Sequence, residues 1–282
     1  MGLNRPSRAA LRALLCHALC GPVLLGLAAL SMSAAHADEP EANRAARWHD
    51  VAAAVFGGRS VTDSPGLVQI DAPPRAMDAA LVPVTITIRP DARVVGLTLV
   101  IDDNPAPVAA KFRFGPLADP HVLKTRVRVD QYTLIHAVAE LQDGSLVSTA
   151  RFIKAAGGCS APGTEDTTSA LARLGRMKMR MTAPANAGGP VTADLLVSHP
   201  NFNGMQMNPV TRLYTPARYV QTVRVSEGDK LVFTMEGDIS LAEDPAIGFA
   251  FHPSGNAPLD VEVDDSAKAV FKQSFPLESH AS

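Results

Sequence analysis

One cysteine is the strongest candidate for chemistry in this 282-residue chain. Cys159 follows Gly157 and Gly158, shortly after an alternating strand pattern that ends near Lys154. A thiolate is a nucleophile, and glycines leave the backbone free to thread a narrow channel. We therefore predict that Cys159 is a covalent attachment point on an arm made by Gly157 and Gly158. On a solvated arm its thiol pKa would stay near the ordinary value of about 8.5.

The other two cysteines, Cys16 and Cys20, lie within residues 1–37, which have the layout of a secretory signal peptide. Three arginines begin this segment, an apolar stretch follows, and residues 35–37 form a small-x-small cleavage site. An uncleaved membrane anchor is the alternative, which Pro22 and the Ala-x-Ala end disfavour. Cleavage predicts a periplasmic protein in which Cys159 is the one remaining cysteine.

An unpaired cysteine in an exported protein is a reactive thiol, an intermolecular bridge or a buried apolar residue. The glycine-rich surroundings of Cys159 favour the first two, and the second predicts a disulfide-linked dimer through Cys159. A thiol-redox enzyme is disfavoured because a resolving cysteine is missing. We expect the chain not to be an enzyme.

The histidines and methionines give weaker signals. His199 precedes an Asn-Gly turn and is interpreted either as a strand-end residue or as a residue for partner docking. No Cys-x-x-Cys or His-x-x-x-His spacing predicts a metal site, and no cofactor is expected. Met205 and Met207 offer soft sulfur to Cu(I), but a packing role is the more common use of such residues.

The charge balance disfavours nucleic acid as a partner. Loss of three arginines from residues 1–37 changes Lys+Arg from 26 to 23 against 28 acids, a formal charge of −5. No segment beyond the signal peptide is expected to cross a membrane.

Hydrophobic periodicity predicts one helix followed by strands. Apolar residues recur at helical spacing from Glu41 to Phe56, and Gly57 ends the pattern. Beyond it the period is two, as in half-buried antiparallel strands. The alternating sets include residues 84–88, 95–101, 126–129, 135–141, 147–153, 177–181, 231–235, 259–263 and 271–275.

These patterns predict an all-β protein with two β-sandwich domains and a short N-terminal helix. Residues 155–169 lack periodicity and are rich in Gly, Ser, Thr and Pro, which is typical of a solvated linker. The predicted organisation is a signal peptide (1–37), a first domain with the helix (38–154), an arm and linker (155–174) and a second sandwich (175–282).

The first domain resembles SoxY and the second resembles SoxZ, the two subunits of a periplasmic sulfur-oxidation carrier. The SoxY-like residues are 80–87, 103–107, 110–112, 115–120 and Gly157-Gly158-Cys159. The SoxZ-like residues are 196–200, 230–234, 239–240, 244–247 and 263–265.

This resemblance implies two immunoglobulin-like sandwiches packed together and a sulfur intermediate carried on Cys159. The implied partners are sulfur-oxidation enzymes or, as in fused SoxYZ-like proteins, a quinoprotein dehydrogenase system. The alternative function is a non-catalytic scaffold for such a dehydrogenase, in which Cys159 is incidental. One departure from separate SoxY is that 282 − 159 = 123 residues follow the cysteine, so the arm is tethered at both ends.

Overall fold

Two β-sheets are the main architectural elements of the described chain, which comprises residues 39–164, 166–183, 188–208 and 211–277 of a computed structural model. The predicted signal peptide lies outside the described residues. The N-terminal half contains α1 (Glu41–Phe56), β1 (Val61–Asp63), β2 (Val68–Asp71), β3 (Val82–Ile88), β4 (Val94–Ile101), β5 (Val108–Phe114), β6 (Ala118–Val127), β7 (Thr133–Leu141) and β8 (Leu146–Ile153).

The C-terminal half begins with a short helix that follows β8. It contains α2 (Thr167–Ala172), β9 (Met177–Thr182), β10 (Val191–Val197), β11 (Val220–Glu227), β12 (Lys230–Gly237), β13 (Ala246–Phe251), β14 (Leu259–Asp265) and β15 (Val270–Phe275). Each half is an immunoglobulin-like β-sandwich, as the strand periodicity predicts. None of the described helices has the length and apolar character needed to span a bilayer.

The helix α1 has the predicted bounds and lies against the N-terminal half. None of its residues is fully buried, so a few side chains hold it in place. The indole of Trp48 stacks on the imidazole of His136 in β7, with 3.6 Å between ring centroids. The guanidinium of Arg47 lies 2.8 Å from the carboxylate of Asp103.

The two halves share both sheets. In the nine-stranded sheet, order β1-β8-β7-β4-β5-β12-β11-β14-β15, β5 of the first half pairs antiparallel with β12 of the second. In the six-stranded sheet, order β2-β3-β6-β13-β10-β9, β6 pairs antiparallel with β13. The sequence predicts two sandwiches, but it does not reveal that their edges join.

Aromatic packing strengthens this joint in the interior. Phe112 of β5 and Phe233 of β12 are almost fully buried, and their ring centroids are 5.8 Å apart. Phe233 also meets the edge of Phe249 at 5.0 Å. At Gly115 the chain approaches so closely that an added Cβ would lie 2.2 Å from the carbonyl oxygen of Leu231. The glycine is therefore required for the two halves to meet.

The predicted linker is only partly coil. Residues 167–172 form α2, whose N-cap Asp166 accepts hydrogen bonds from the backbone N–H groups of Thr168 and Ser169. This cap satisfies donors that a short helix would otherwise leave exposed. The sequence prediction of coil through residue 169 was therefore wrong at its C-terminal end, because a local cap outweighs the weak periodicity.

We expect Phe233→Ala to lower the free energy of unfolding by about 3–5 kcal/mol, the cost of emptying a large aromatic site. Because the sheets are shared, the fluorescence of Trp48 in the opposite half should change in the same denaturant transition as the far-UV circular dichroism. Val270→Ala, at an exposed position of edge strand β15, should change little. If the Trp48 fluorescence of Phe233→Ala kept its wild-type midpoint, the two halves would unfold separately, and the prediction that they unfold together would be wrong.

Candidate functional site

Cys159 lies in a packed segment between the two halves. Its side chain is 1% exposed, although Ser160 beside it is exposed. The predicted solvated arm is therefore not what the structure contains, and the correction has a physical cause. Backbone and side-chain groups from both halves hold residues 157–161 in place.

Gly158 allows the closest part of this packing. An added Cβ would lie 2.1 Å from the carbonyl oxygen of Ala79 and 2.6 Å from that of Val129. The backbone N–H of Gly158 donates to the carbonyl oxygen of Val129 at 2.9 Å. Gly157 has a φ of +80°, a conformation that glycine adopts without strain. Both glycines are therefore needed for the packed conformation, whatever they contribute to an open one.

The C-terminal half contributes two carboxamides to the same segment. Asn203 donates from Nδ2 to the carbonyl oxygen of Cys159 at 2.6 Å, and Gln206 donates from Nε2 to that of Ala161 at 3.2 Å. Both side chains are buried. The loop after β10 therefore closes over the cysteine backbone.

The N-terminal half contributes the segment that follows β6. Arg128 donates from Nη1 to the carbonyl oxygen of Gly158 at 3.3 Å. Asn104 holds this segment, because its Nδ2 donates to the carbonyl oxygen of Arg128 and its Oδ1 accepts from the backbone N–H of Asp130. The SoxY-like residues 103–107 thus position the residues that surround Cys159.

The thiol of Cys159 is held in its neutral form. Burial raises its pKa to about 12, and the carboxylate of Asp130 contributes by its charge and by a hydrogen bond to the thiol. Arg128 acts in the opposite direction but does not compensate. The expected pKa of about 8.5 was wrong because the cysteine is not solvated. In this conformation Cys159 is a protected thiol.

Arg128 is itself unusual because its side chain is completely buried. Among the described residues, its Nε and Nη2 atoms have no hydrogen-bond partner. Burial lowers the pKa of Arg128, and the charges of Glu243, Cys159 and Asp78 partly offset that effect. No carboxylate forms an ion pair with it within residues 39–277 as far as these are described.

Comparisons with known proteins agree with this division of the site between two halves. The profile of the family "Sulfur oxidation protein SoxY" matches residues 52–159 and ends at the cysteine. The profile of "Sulphur oxidation protein SoxZ" matches residues 178–276. The two matches lie in tandem, SoxY first and SoxZ second. This tandem supports a fused SoxYZ-like protein with a carrier role in sulfur oxidation, and both families are non-catalytic.

Solved structures show weaker similarity. The sulfur carrier protein SoxY from Chlorobium limicola f thiosulfatophilum is 27% identical, and the match covers 40% of this chain and 96% of that one with a TM-score of 0.35. A superoxide reductase (neelaredoxin) from Ignicoccus hospitalis is 15% identical over 37% of this chain and 90% of its own, with a TM-score of 0.28. These scores are too low to support a functional argument. A search of curated proteins gives no significant match.

His199 of the SoxZ domain does not present a docking surface. Its side chain is fully buried, its Nδ1 accepts from the backbone N–H of Asn201, and its Nε2 lies 3.6 Å from the carboxylate of Asp265. Burial lowers its pKa to about 4, against the opposing charge of Asp265. The docking interpretation of this side chain was therefore wrong, and the residue organises the loop that leads to Asn203.

The structure does not bring together a metal site among the described residues. No three side chains of His, Cys, Asp or Glu converge in that part of the chain. Met207 is exposed and Met205 half-buried, in the loop that also carries Gln206. The residues that sequence reasoning missed are Arg128, Asp130, Asn203 and Gln206, which meet Cys159 only through the fold.

We expect Gly158→Ala to open the packed segment, because the new methyl group cannot coexist with the carbonyl oxygens of Ala79 and Val129. The rate of Cys159 alkylation by iodoacetamide at pH 8 should rise by about tenfold or more, measured by intact mass. Gly66→Ala is the matched control, since its Cβ would meet no atom within 4 Å. Equal rates for the two variants would contradict the packing.

A second prediction concerns Asp130. The raised thiol pKa means that the packed state holds its proton tightly, so packing is stable below the ordinary thiol pKa and weakens as the pH rises toward about 12. Asp130→Asn removes the carboxylate charge, so the thiol pKa should fall toward its ordinary value. Each unit of this fall increases the thiolate fraction at pH 8 about tenfold.

The measurement is the pH profile of Cys159 alkylation between pH 7 and 11, with Asp229→Asn in the exposed β11–β12 turn as control. The midpoint should shift to lower pH in Asp130→Asn only. An unchanged midpoint would show that burial alone sets the thiol pKa.

Proposed function

We propose that this protein is a periplasmic carrier that holds a sulfur-containing intermediate on the Sγ of Cys159 and presents it to partner enzymes. The observation that carries the proposal is the position of the cysteine. It ends the SoxY match and lies in a segment clamped by residues of both domains. The signal-like layout of residues 1–37 supports the periplasmic location.

The carrier alternates between a packed and an open state. In the packed state a buried, protonated thiol is a poor nucleophile. In the open state the thiol returns to water, where its pKa regains the ordinary value. The segment is easy to open, because residues 156–158 and 160–162 have small side chains that bury little apolar surface.

Loading requires a partner enzyme. Joining the Cys159 thiolate to a sulfur nucleophile forms one S–S bond and releases two electrons, which an electron-accepting partner must remove. The open thiol has a limited reach, since Cys159 lies 159 − 153 = 6 residues beyond the end of β8 and 167 − 159 = 8 residues before α2. Six extended residues span at most about 20 Å. The partner site must therefore be shallow enough for a loop to enter.

The alternative function is a scaffold for a periplasmic quinoprotein dehydrogenase, in which Cys159 is incidental. Burial of the thiol favours this alternative, because buried unpaired cysteines are usually inert. The same burial separates the thiol from a second copy, so a disulfide-linked dimer would also require the open state. The requirement for the Cys159 thiol separates the two functions, because the carrier needs it and the scaffold does not.

The test is the intact mass of protein purified from periplasm without reductant, before and after thiol reduction. We expect a reducible extra mass on Cys159 and a mature N-terminus after residue 37. Cys159→Ser should abolish both the extra mass and activity of the pathway that the protein serves. Ser160→Ala is the matched control at the neighbouring exposed position.

Full pathway activity in Cys159→Ser, with no extra mass on the wild-type protein, would exclude the carrier and favour the scaffold. Loss of activity in Cys159→Ser with normal folding would exclude an incidental cysteine. Proteolytic mapping distinguishes a small cargo from a second copy of the chain.

A further inference from the structure

The side chain of Arg128 has donors that none of the described residues uses. It is fully buried, and its Nη1 donates to the carbonyl oxygen of Gly158. Its Nε and Nη2 have no partner in the described part of the chain. A buried cation without a partner is destabilising, because the desolvation of the charge is not repaid. Such an arrangement persists where a ligand uses the free donors.

The guanidinium of Arg128 is next to the attachment point. Its Nη1 donates to the residue that precedes Cys159, and its positive charge acts to lower the pKa of the Cys159 thiol. The negative charges of Glu243 and Asp78 partly offset the lowering of the Arg128 pKa by burial. The carboxylate of Glu243 accepts a hydrogen bond from the backbone N–H of Thr164. Neither carboxylate is within ion-pairing distance of Arg128 in the described chain, so neither accepts a hydrogen bond from its Nε or Nη2.

We propose that Nε and Nη2 of Arg128 form an oxyanion-binding subsite for the end group of an adduct on Cys159. This subsite rests on the proposed carrier function and narrows its cargo to groups that carry anionic oxygens, such as a sulfonate. A planar guanidinium offers two parallel N–H donors that match two oxygens of such a group. A neutral adduct, such as a methylthio group, gains nothing from it.

Arg128 and Asp130 then serve different states of Cys159. The carboxylate of Asp130 accepts a hydrogen bond from the free, protonated thiol and stabilises the unloaded, packed segment. Once the sulfur carries an adduct it has no proton to donate, and the negative charge of Asp130 disfavours an anionic cargo. The guanidinium of Arg128 offsets that repulsion, so the loaded segment can also pack.

The experiment installs the adducts chemically on the full mature chain. Reaction with the disulfide of 5,5′-dithiobis(2-nitrobenzoate) gives a mixed disulfide, and sulfite then attacks the Cys159 sulfur and expels the aryl thiolate. The product carries a sulfonate on Cys159. Methyl methanethiosulfonate gives the neutral methylthio adduct, with methanesulfinate as the leaving group.

The readout is the rate at which dithiothreitol removes each adduct, followed by intact mass. Its thiolate attacks the Cys159 sulfur and expels sulfite or methanethiolate. Wild-type protein should lose the sulfonate at least about tenfold more slowly than Arg128→Met does, since hydrogen bonds to a charged group have at least that effect. Arg128→Lys keeps the positive charge but lacks the two parallel N–H donors, so its rate of sulfonate loss should lie between those of wild type and Arg128→Met. Loss of the methylthio group reports any opening of the segment caused by the lost bond from Nη1 to Gly158, so the expected tenfold difference is taken in the ratio of sulfonate release to methylthio release.

Arg180→Met is the control, because Arg180 is exposed and pairs with Asp194. It should behave as wild type. Arg128→Met removes an unpaired buried charge, so the unloaded variant should unfold at the same temperature as wild type or higher. If it fails to fold, Arg128→Lys provides the comparison. Equal sulfonate release from wild type and both Arg128 variants would overturn the subsite.

This outcome is independent of the carrier test. The sulfonate is installed in vitro, so the subsite is measured whether or not cells load the protein. Full pathway activity in Cys159→Ser, with no extra mass on the wild-type protein, would contradict the carrier function, while adduct release that does not depend on Arg128 would contradict the subsite alone.

Discussion

The pairing of β5 with β12 and of β6 with β13 is the constraint on which the Cys159 site depends. Arg128 and Asp130 follow the end of β6, while Asn203 and Gln206 follow β10, which lies two strands away in the same sheet. Their relative positions are fixed because a continuous hydrogen-bonded sheet leaves little freedom between neighbouring strands. Without the joint, the carboxamides could not meet the backbone of residues 159–161.

The chemistry at the site follows from opposing contributions to one thiol. Burial and the charge of Asp130 suppress the thiolate, and Arg128 favours it less strongly. A buried arginine with two donors that no described residue uses costs the unloaded protein stability, so its presence indicates a functional constraint. The neighbouring Asn104 bonds to the backbone of Arg128 and of Asp130, on both sides of Val129, and so holds these two charged residues in place.

Hydrophobic periodicity predicted the bounds of α1 and the positions of most strands. It could do so because the placing of apolar residues on one face of an element is a local property of the sequence. The predicted alternating sets do not include β1, β2, β5, β10, β11 or β13. In β5 and β13, small and apolar residues such as Ala109, Ala110 and Gly248 blur the alternation. The alternation of Arg128 with Val127 and Val129 predicts an exposed arginine. In the structure β6 ends at Val127, and the side chain of Arg128 turns inward and is buried. The burial of Cys159 was not predictable, because it depends on Ala79 and Asn203, far away in the chain.

The two carboxamides that close over Cys159 belong to the same polypeptide as the cysteine. In a carrier assembled from separate subunits, dilution would separate the clamp from the thiol that it covers. Here closure is a unimolecular equilibrium, so its constant is the same at any protein concentration. Protection of the thiol in a dilute compartment is thus a property of each molecule and needs no second subunit in excess.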